Sequence, residues 1–170
     1  MRTGRVVAMA AWVGLLAAGS EAAPPALIDP KMLMIAPGPS AGPVRMAREG
    51  AARRLGQPRC AQIFAEFANA DGNPLQERLD AYRLTGPEYL ALVYFADGLE
   101  RGRCDDHGVL ATATPGGRVV SVCSRFARAY RENPTWGEIV LIHEALHTLG
   151  LGENPPSSSE ISARVSAACR

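Results

Sequence analysis

Apolar residues along this chain change their period several times, and the changes mark its elements. Val44 to Leu55 reads as a helix. Behind the turn Asp71-Gly72-Asn73-Pro74, Leu75, Leu79 and Tyr82 fall near helical spacing. Thr85 through Glu88 marks another helix start, and Leu90 to Phe95 is apolar enough for a buried strand. The stretch around Ile63 to Phe67 suits strand or helix equally. Val109 to Thr114 and Arg118 to Cys123 form a hairpin around the turn Pro115-Gly116-Gly117. A long helix then runs from Asn133 through His147. Its start is marked either by a capping box of Thr135 and Glu138 or by Asn133 as N-cap with Pro134 at the first helical position. A second box, Ser157 with Glu160, stands before Ile161, Val165 and Ala168 and predicts a short terminal helix. No internal repeat occurs. Together these elements predict an α+β domain, with a small sheet packed against the Asn133–His147 helix.

Two N-terminal segments stand outside this pattern. Arg2 and Arg5 precede an uncharged stretch from Val6 to Ala18, followed by the small-residue site Ser20-Glu21-Ala22, which is the pattern of a secretory signal peptide over residues 1–22. That stretch is shorter than the about 20 residues a bilayer span needs. The mature chain is therefore expected to be secreted or periplasmic, with no membrane contact. From Ala23 to Pro43 there are six prolines and neither a helical nor a strand period, as in an extended arm. Residues 44–170 then make a single domain.

Composition adds two constraints. With 18 Lys+Arg against 17 Asp+Glu and no basic run, nothing is available to neutralise a phosphate backbone, which argues against nucleic acid as a partner. The four cysteines, Cys60, Cys104, Cys123 and Cys169, all follow the signal, and an even number in an oxidising compartment predicts two disulfides. Three pairings are open. Cys104–Cys123 across the hairpin is preferred, which leaves Cys60 for Cys169. No two cysteines stand in the C-x-x-C spacing of a zinc site.

The chemistry concentrates in the last forty residues. On a helix, residues four apart differ by about 40° around the axis, so His143 and His147 project from one face and can hold one metal ion. Glu144 lies to the side, where a carboxylate can reach a water on that metal without being a ligand, as a general base requires. His143-Glu144-Ala145-Leu146-His147, with its uncharged surroundings, resembles the H-E-x-x-H signature of the zincin metallopeptidases. The resemblance implies zinc as cofactor and a peptide or protein substrate. It covers roughly residues 109 to 160.

Zincins usually take their third ligand downstream of the motif. In the subgroup with an extended signature a glycine follows the second histidine by three residues and the third ligand follows by three more, and those places here are Gly150 and Glu153. Glycine can adopt positive φ, end the helix and swing the following residues back over the metal. Glu153 replaces the usual His or Asp of that subgroup, and carboxylate is an acceptable zinc ligand. Glu160, most simply a helix cap, is the next candidate ligand, resembling the zincins that supply a glutamate from a later helix. No methionine follows Met46, so the methionine turn of the metzincins is missing. The longer string from His147 to Pro156 resembles short exported bacterial proteins of unassigned activity. In zincins an edge strand before the motif helix holds substrate in extended form, and Arg118 to Cys123 or Val109 to Thr114 is that element here. His107, Tyr94 and Tyr130 are candidate donors to a developing oxyanion. Asp105-Asp106-His107 reads as a solvated loop more than as a metal cluster.

The expected function is a secreted zinc peptidase with metal ligands His143, His147 and Glu153 and general base Glu144. The competing reading is an exported zinc-binding or inhibitory module that keeps the site without turnover.

Overall fold

A computed structural model of the protein describes residue 35 and residues 38–98, 102–106 and 108–170. The predicted signal peptide, most of the proline-rich arm and His107 lie outside the described residues. Helix α1 spans Ala41–Leu55. It starts three residues before the Val44 expected from the pattern because Pro43 falls in the first turn, where backbone N–H groups have no intrahelical partner to lose. Two single turns follow, α2 (Pro58–Ala61) and α3 (Ile63–Glu66), so the ambiguous stretch after Gln62 is helical. Helix α4 spans Leu75–Tyr82, and α5 spans Gly86–Ala91.

Thr85 and Glu88 form the reciprocal capping box that starts α5, and the helix runs on through Leu90. The strand expected at Leu90–Phe95 is therefore displaced. It is β1, Tyr94–Asp97. A short apolar run reads the same in the last turn of a buried helix as in a buried strand, and the cap upstream decided between them. The hairpin forms where expected, from β2 (Ala111–Ala113) and β3 (Val119–Val122). In the sheet, β3 is central, with β1 parallel on one side and β2 antiparallel on the other. Ile35 adds a parallel bridge to Phe95 beyond β1. Helices α6 (Phe126–Glu132), α7 (Pro134–Thr148) and α8 (Ser158–Cys169) complete the α+β fold.

The core is built around α7, in which every residue from Gly137 to Thr148 is buried. Apart from Glu138 and the face that bears His143, Glu144 and His147, these residues are mostly apolar and pack into the core. Helices α1, α6 and α8 and the strands β2 and β3 surround it. Phe64, Phe95, Phe126, Ile139, Leu141 and Leu146 are fully buried in this single cluster.

Both disulfides take the preferred pairing, Cys60–Cys169 and Cys104–Cys123. Beside the first of them, Arg54 of α1 joins three elements. Its Nε donates to Glu138 of α7 at 2.5 Å, Nη1 to the carbonyl of Cys169 at 2.6 Å, and Nη2 to Thr135 Oγ1 at 3.2 Å. Gly50 makes room for Glu138, since a Cβ there would stand 2.0 Å from Oε1. Arg54→Ala leaves Glu138 buried without this partner, and removing one member of such a pair lowers stability by about 3 kcal/mol. Urea unfolding should show the loss as a lower midpoint at unchanged slope.

Candidate metal centre

The site begins with how α7 is started and stopped. Asn133 Oδ1 accepts from the N–H of Trp136 at 3.0 Å, with Pro134 at the first helical position. Of the two starts written in the sequence, Asn133 is therefore the cap, and Thr135 and Glu138 serve Arg54 instead. At the other end Gly150 takes φ +109, its N–H donates to the carbonyl of His147 at 2.8 Å, and the N–H of Leu151 donates to that of Leu146 at 3.1 Å. These two bonds form a Schellman motif, and Leu146 and Leu151 are both buried, as the motif's hydrophobic contact requires. The reversal carries the following residues back over the helix face that bears the histidines.

The outcome is a cluster of three ligand-type side chains. His143 Nε2 and His147 Nε2 lie 3.0 Å apart, and Glu153 Oε1 is 3.3 Å from His147 Nε2 and 3.8 Å from His143 Nε2. Ligands about 2.0–2.1 Å from a tetrahedral zinc are about 3.3–3.4 Å from one another. The observed spacings bracket that value, so His143, His147 and Glu153 can hold a metal ion. Glu160 is not in the cluster; its Oε2 accepts from the N–H and the hydroxyl of Ser157, both at 2.7 Å, as the cap of α8. Those two bonds favour the charged form and lower its pKa.

Electrostatics suit the same purpose. Burial, with a smaller contribution from neighbouring His147, pushes the His143 pKa down to about 3. The ring is neutral at any ordinary pH, which is the form that ligates a metal. Each ring also has an outer partner: His147 Nδ1 lies 2.7 Å from the carbonyl of Leu151, and His143 Nδ1 lies 2.9 Å from Ser162 Oγ. Sequence reasoning missed Ser162. Nothing in its spacing from His143 marks it, because the contact exists only after α8 packs on α7.

A cleft of about 450 Å³ opens beside the cluster, lined by Glu144, His147 and Glu153 and by Ala111, Thr112 and Ala113 of β2. Glu144 is 6% exposed. Of the two strands considered for the substrate edge, β3 is central and β2 is the edge. The Cys123 N–H donates to the carbonyl of Leu110 at 2.9 Å, so alternate residues of β2 bond to β3. The backbone groups of Ala111 and Ala113 consequently point away from β3, along an edge that no other described strand pairs. At the end of that edge the Gly116 N–H donates to the carbonyl of His147 at 2.9 Å, fixing the hairpin turn on α7.

The loop at the opposite end is held by the Cys104–Cys123 bridge and by Arg125, whose Nη2 donates to the carbonyls of Cys104 and Asp106. Asp106 is exposed and lines the cleft, and Asp105 is exposed in the 3₁₀ turn Gly102–Asp105. Neither belongs to the metal cluster. Tyr94 and Tyr130 do not line the cleft; Tyr130 stacks on Phe126 with ring centroids 6.3 Å apart and packs against Gly137.

Gly150 makes the turn that leads from His147 to Glu153. A Cβ there would sit 3.3 Å from both Arg78 Nη1 and Asn69 Cβ, in a conformation that L side chains rarely adopt. Gly150→Ala is expected to lower stability by about 1–3 kcal/mol and to weaken metal binding by displacing Glu153. Thermal unfolding with and without added zinc checks both effects, since a smaller zinc-induced rise in Tm reports the second.

No protein-family model matches the chain, and neither a curated protein nor a solved structure matches it.

Proposed function

We propose that the protein is an exported zinc-dependent peptidase of the zincin type. The observation that carries this reading is one arrangement: His143, His147 and Glu153 at metal-ligand spacing, with Glu144 lining the same cleft. Bound there, zinc supplies Lewis acidity, lowering the pKa of a water and polarising the scissile carbonyl. Glu144 takes the proton of the attacking water and returns it to the leaving amine nitrogen. The outward-facing backbone groups of Ala111 and Ala113 suit an extended peptide, which would add as a further strand on the edge of β2. Export is supported by two disulfides, which persist in oxidising compartments. None of the described helices is long and apolar enough to cross a membrane.

The cleft favours this reading over a zinc-binding module without turnover, because structural zinc sites are closed by four protein ligands and catalytic ones keep a position open. The described cluster offers three.

The test is to incubate the zinc-loaded protein with a complex peptide library and read the products by mass spectrometry. Cleavage is expected with zinc, should stop on chelation and should return when zinc is restored. His143→Ala should bind no zinc at the site and give no products. An intact library after exposure to a folded, zinc-loaded protein overturns the peptidase reading in favour of the binding module.

A further inference from the structure

The two histidines of the cluster have outer partners of different kinds. His147 Nδ1 faces the carbonyl of Leu151, which only accepts, so Nδ1 carries the proton of the neutral ring and Nε2 presents a lone pair. His143 Nδ1 faces the hydroxyl of Ser162, which both accepts and donates. Two hydrogen-bond patterns therefore fit the same positions. In the first, Ser162 donates to His143 Nδ1 and the proton on His143 Nε2 is donated to His147 Nε2, 3.0 Å away. In the second, His143 Nδ1 donates to Ser162 Oγ and both Nε2 lone pairs converge with the Glu153 carboxylate, an arrangement that only a bound cation relieves of repulsion. Only the second leaves His143 able to ligate. The two differ by moving one proton from Nε2 to Nδ1 of a ring that stays neutral, with the hydroxyl reversing its role.

We propose that Ser162 is a positioning residue for the metal centre, whose hydroxyl holds the His143 ring in place in both patterns and lets it pass to the ligating tautomer. The proposal rests on the reading of the cluster as a metal site. Its structural basis is the way α8 is held. The Ser157–Glu160 capping box sets where the helix starts, the Cys60–Cys169 bridge ties its last residue to α2, and Ile161 and Val165 are buried on either side of Ser162 in sequence. A hydroxyl on an element anchored at both ends is preorganised, as an outer partner of a ligating histidine must be.

Thr and Val at this position separate the hydroxyl from the packing, because they share shape and β-branching and differ in the hydrogen-bonding group. Zinc affinity would be measured by competition with a chromophoric chelator for the unaltered protein, Ser162→Thr and Ser162→Val, together with the metal-free Tm of each. Ser162→Val is expected to bind zinc about 10–100-fold more weakly than Ser162→Thr, the range seen when an outer partner is lost. Ser162→Thr should stay within a few-fold of the unaltered protein, and the two variants should unfold at similar temperatures without metal. Equal zinc affinities for Thr and Val overturn the positioning role and leave the metal reading intact. Failure of the unaltered protein to bind zinc overturns the metal reading and this inference with it.

Discussion

Glu144→Gln is expected to keep its zinc and its fold while peptide hydrolysis falls by about three orders of magnitude, within the range that a positioned general base supplies. Glu144 is 6% exposed on a helix whose residues from Gly137 to Thr148 are all buried, so shape is the first requirement of any substitution there. Glutamine meets it, filling the same volume with a neutral group. What it lacks is a lone pair basic enough to take a proton from water. The candidate ligands His143, His147 and Glu153 are untouched, so zinc stoichiometry should equal that of the unaltered protein. The loss should appear in kcat with KM little changed, as for an interaction made only in the transition state. Equal kcat in a zinc-loaded Glu144→Gln protein would remove Glu144 from the mechanism.

The second large effect concerns stability. Replacing Cys60 and Cys169 together by serine should lower the unfolding free energy by about 4–5 kcal/mol, because the bridge closes a loop with a sequence separation of 109. The Cys104–Cys123 bridge spans 19 residues, for which the same chain-entropy argument gives about 3 kcal/mol. The order of the two losses is the sharper test, since native-state strain moves either value but loop length ranks them. Denaturant titrations of the two double variants under non-reducing conditions measure both. The Cys60–Cys169 variant should also bind zinc more weakly, because the bridge anchors α8 and α8 carries Ser162 against His143. A Cys104–Cys123 variant less stable than the Cys60–Cys169 variant would show that loop closure does not govern this fold.

How far the chain could be read depended on the range of each interaction. The caps at Thr85–Glu88 and Ser157–Glu160, the hairpin turn at Pro115-Gly116-Gly117 and the glycine stop at Gly150 all act within a few residues, and each is where its residues place it. The spacing of His143 and His147 belongs to the same class, because a helix repeat converts four residues of sequence into one shared face. A misplaced strand and an open choice arose where a local pattern had two solutions. The run from Leu90 to Phe95 could close a helix or open a strand, and Asn133 competed with Thr135 to start α7. In the first case the Thr85–Glu88 cap upstream decided, and in the second a distant partner did, since Arg54 claims Thr135 and Glu138 from α1.

The sequence by itself determined the motif helix and its glycine stop, because short-range sterics and hydrogen bonding leave those segments few alternatives, whereas the cysteine pairs and the role of Glu160 had only a preferred reading. The sequence offered both Glu153 and Glu160 as third ligand, and Glu153 is the one beside the histidines; tertiary structure alone decided that β2 is the sheet's edge beside the cleft and that Ser162 of α8 stands against His143. Those contacts join residues whose separation along the chain carries no period. They come into being only when buried apolar faces bring α7, α8 and the sheet together, since the hydrophobic effect sets which elements meet and polar side chains then find the partners that packing provides.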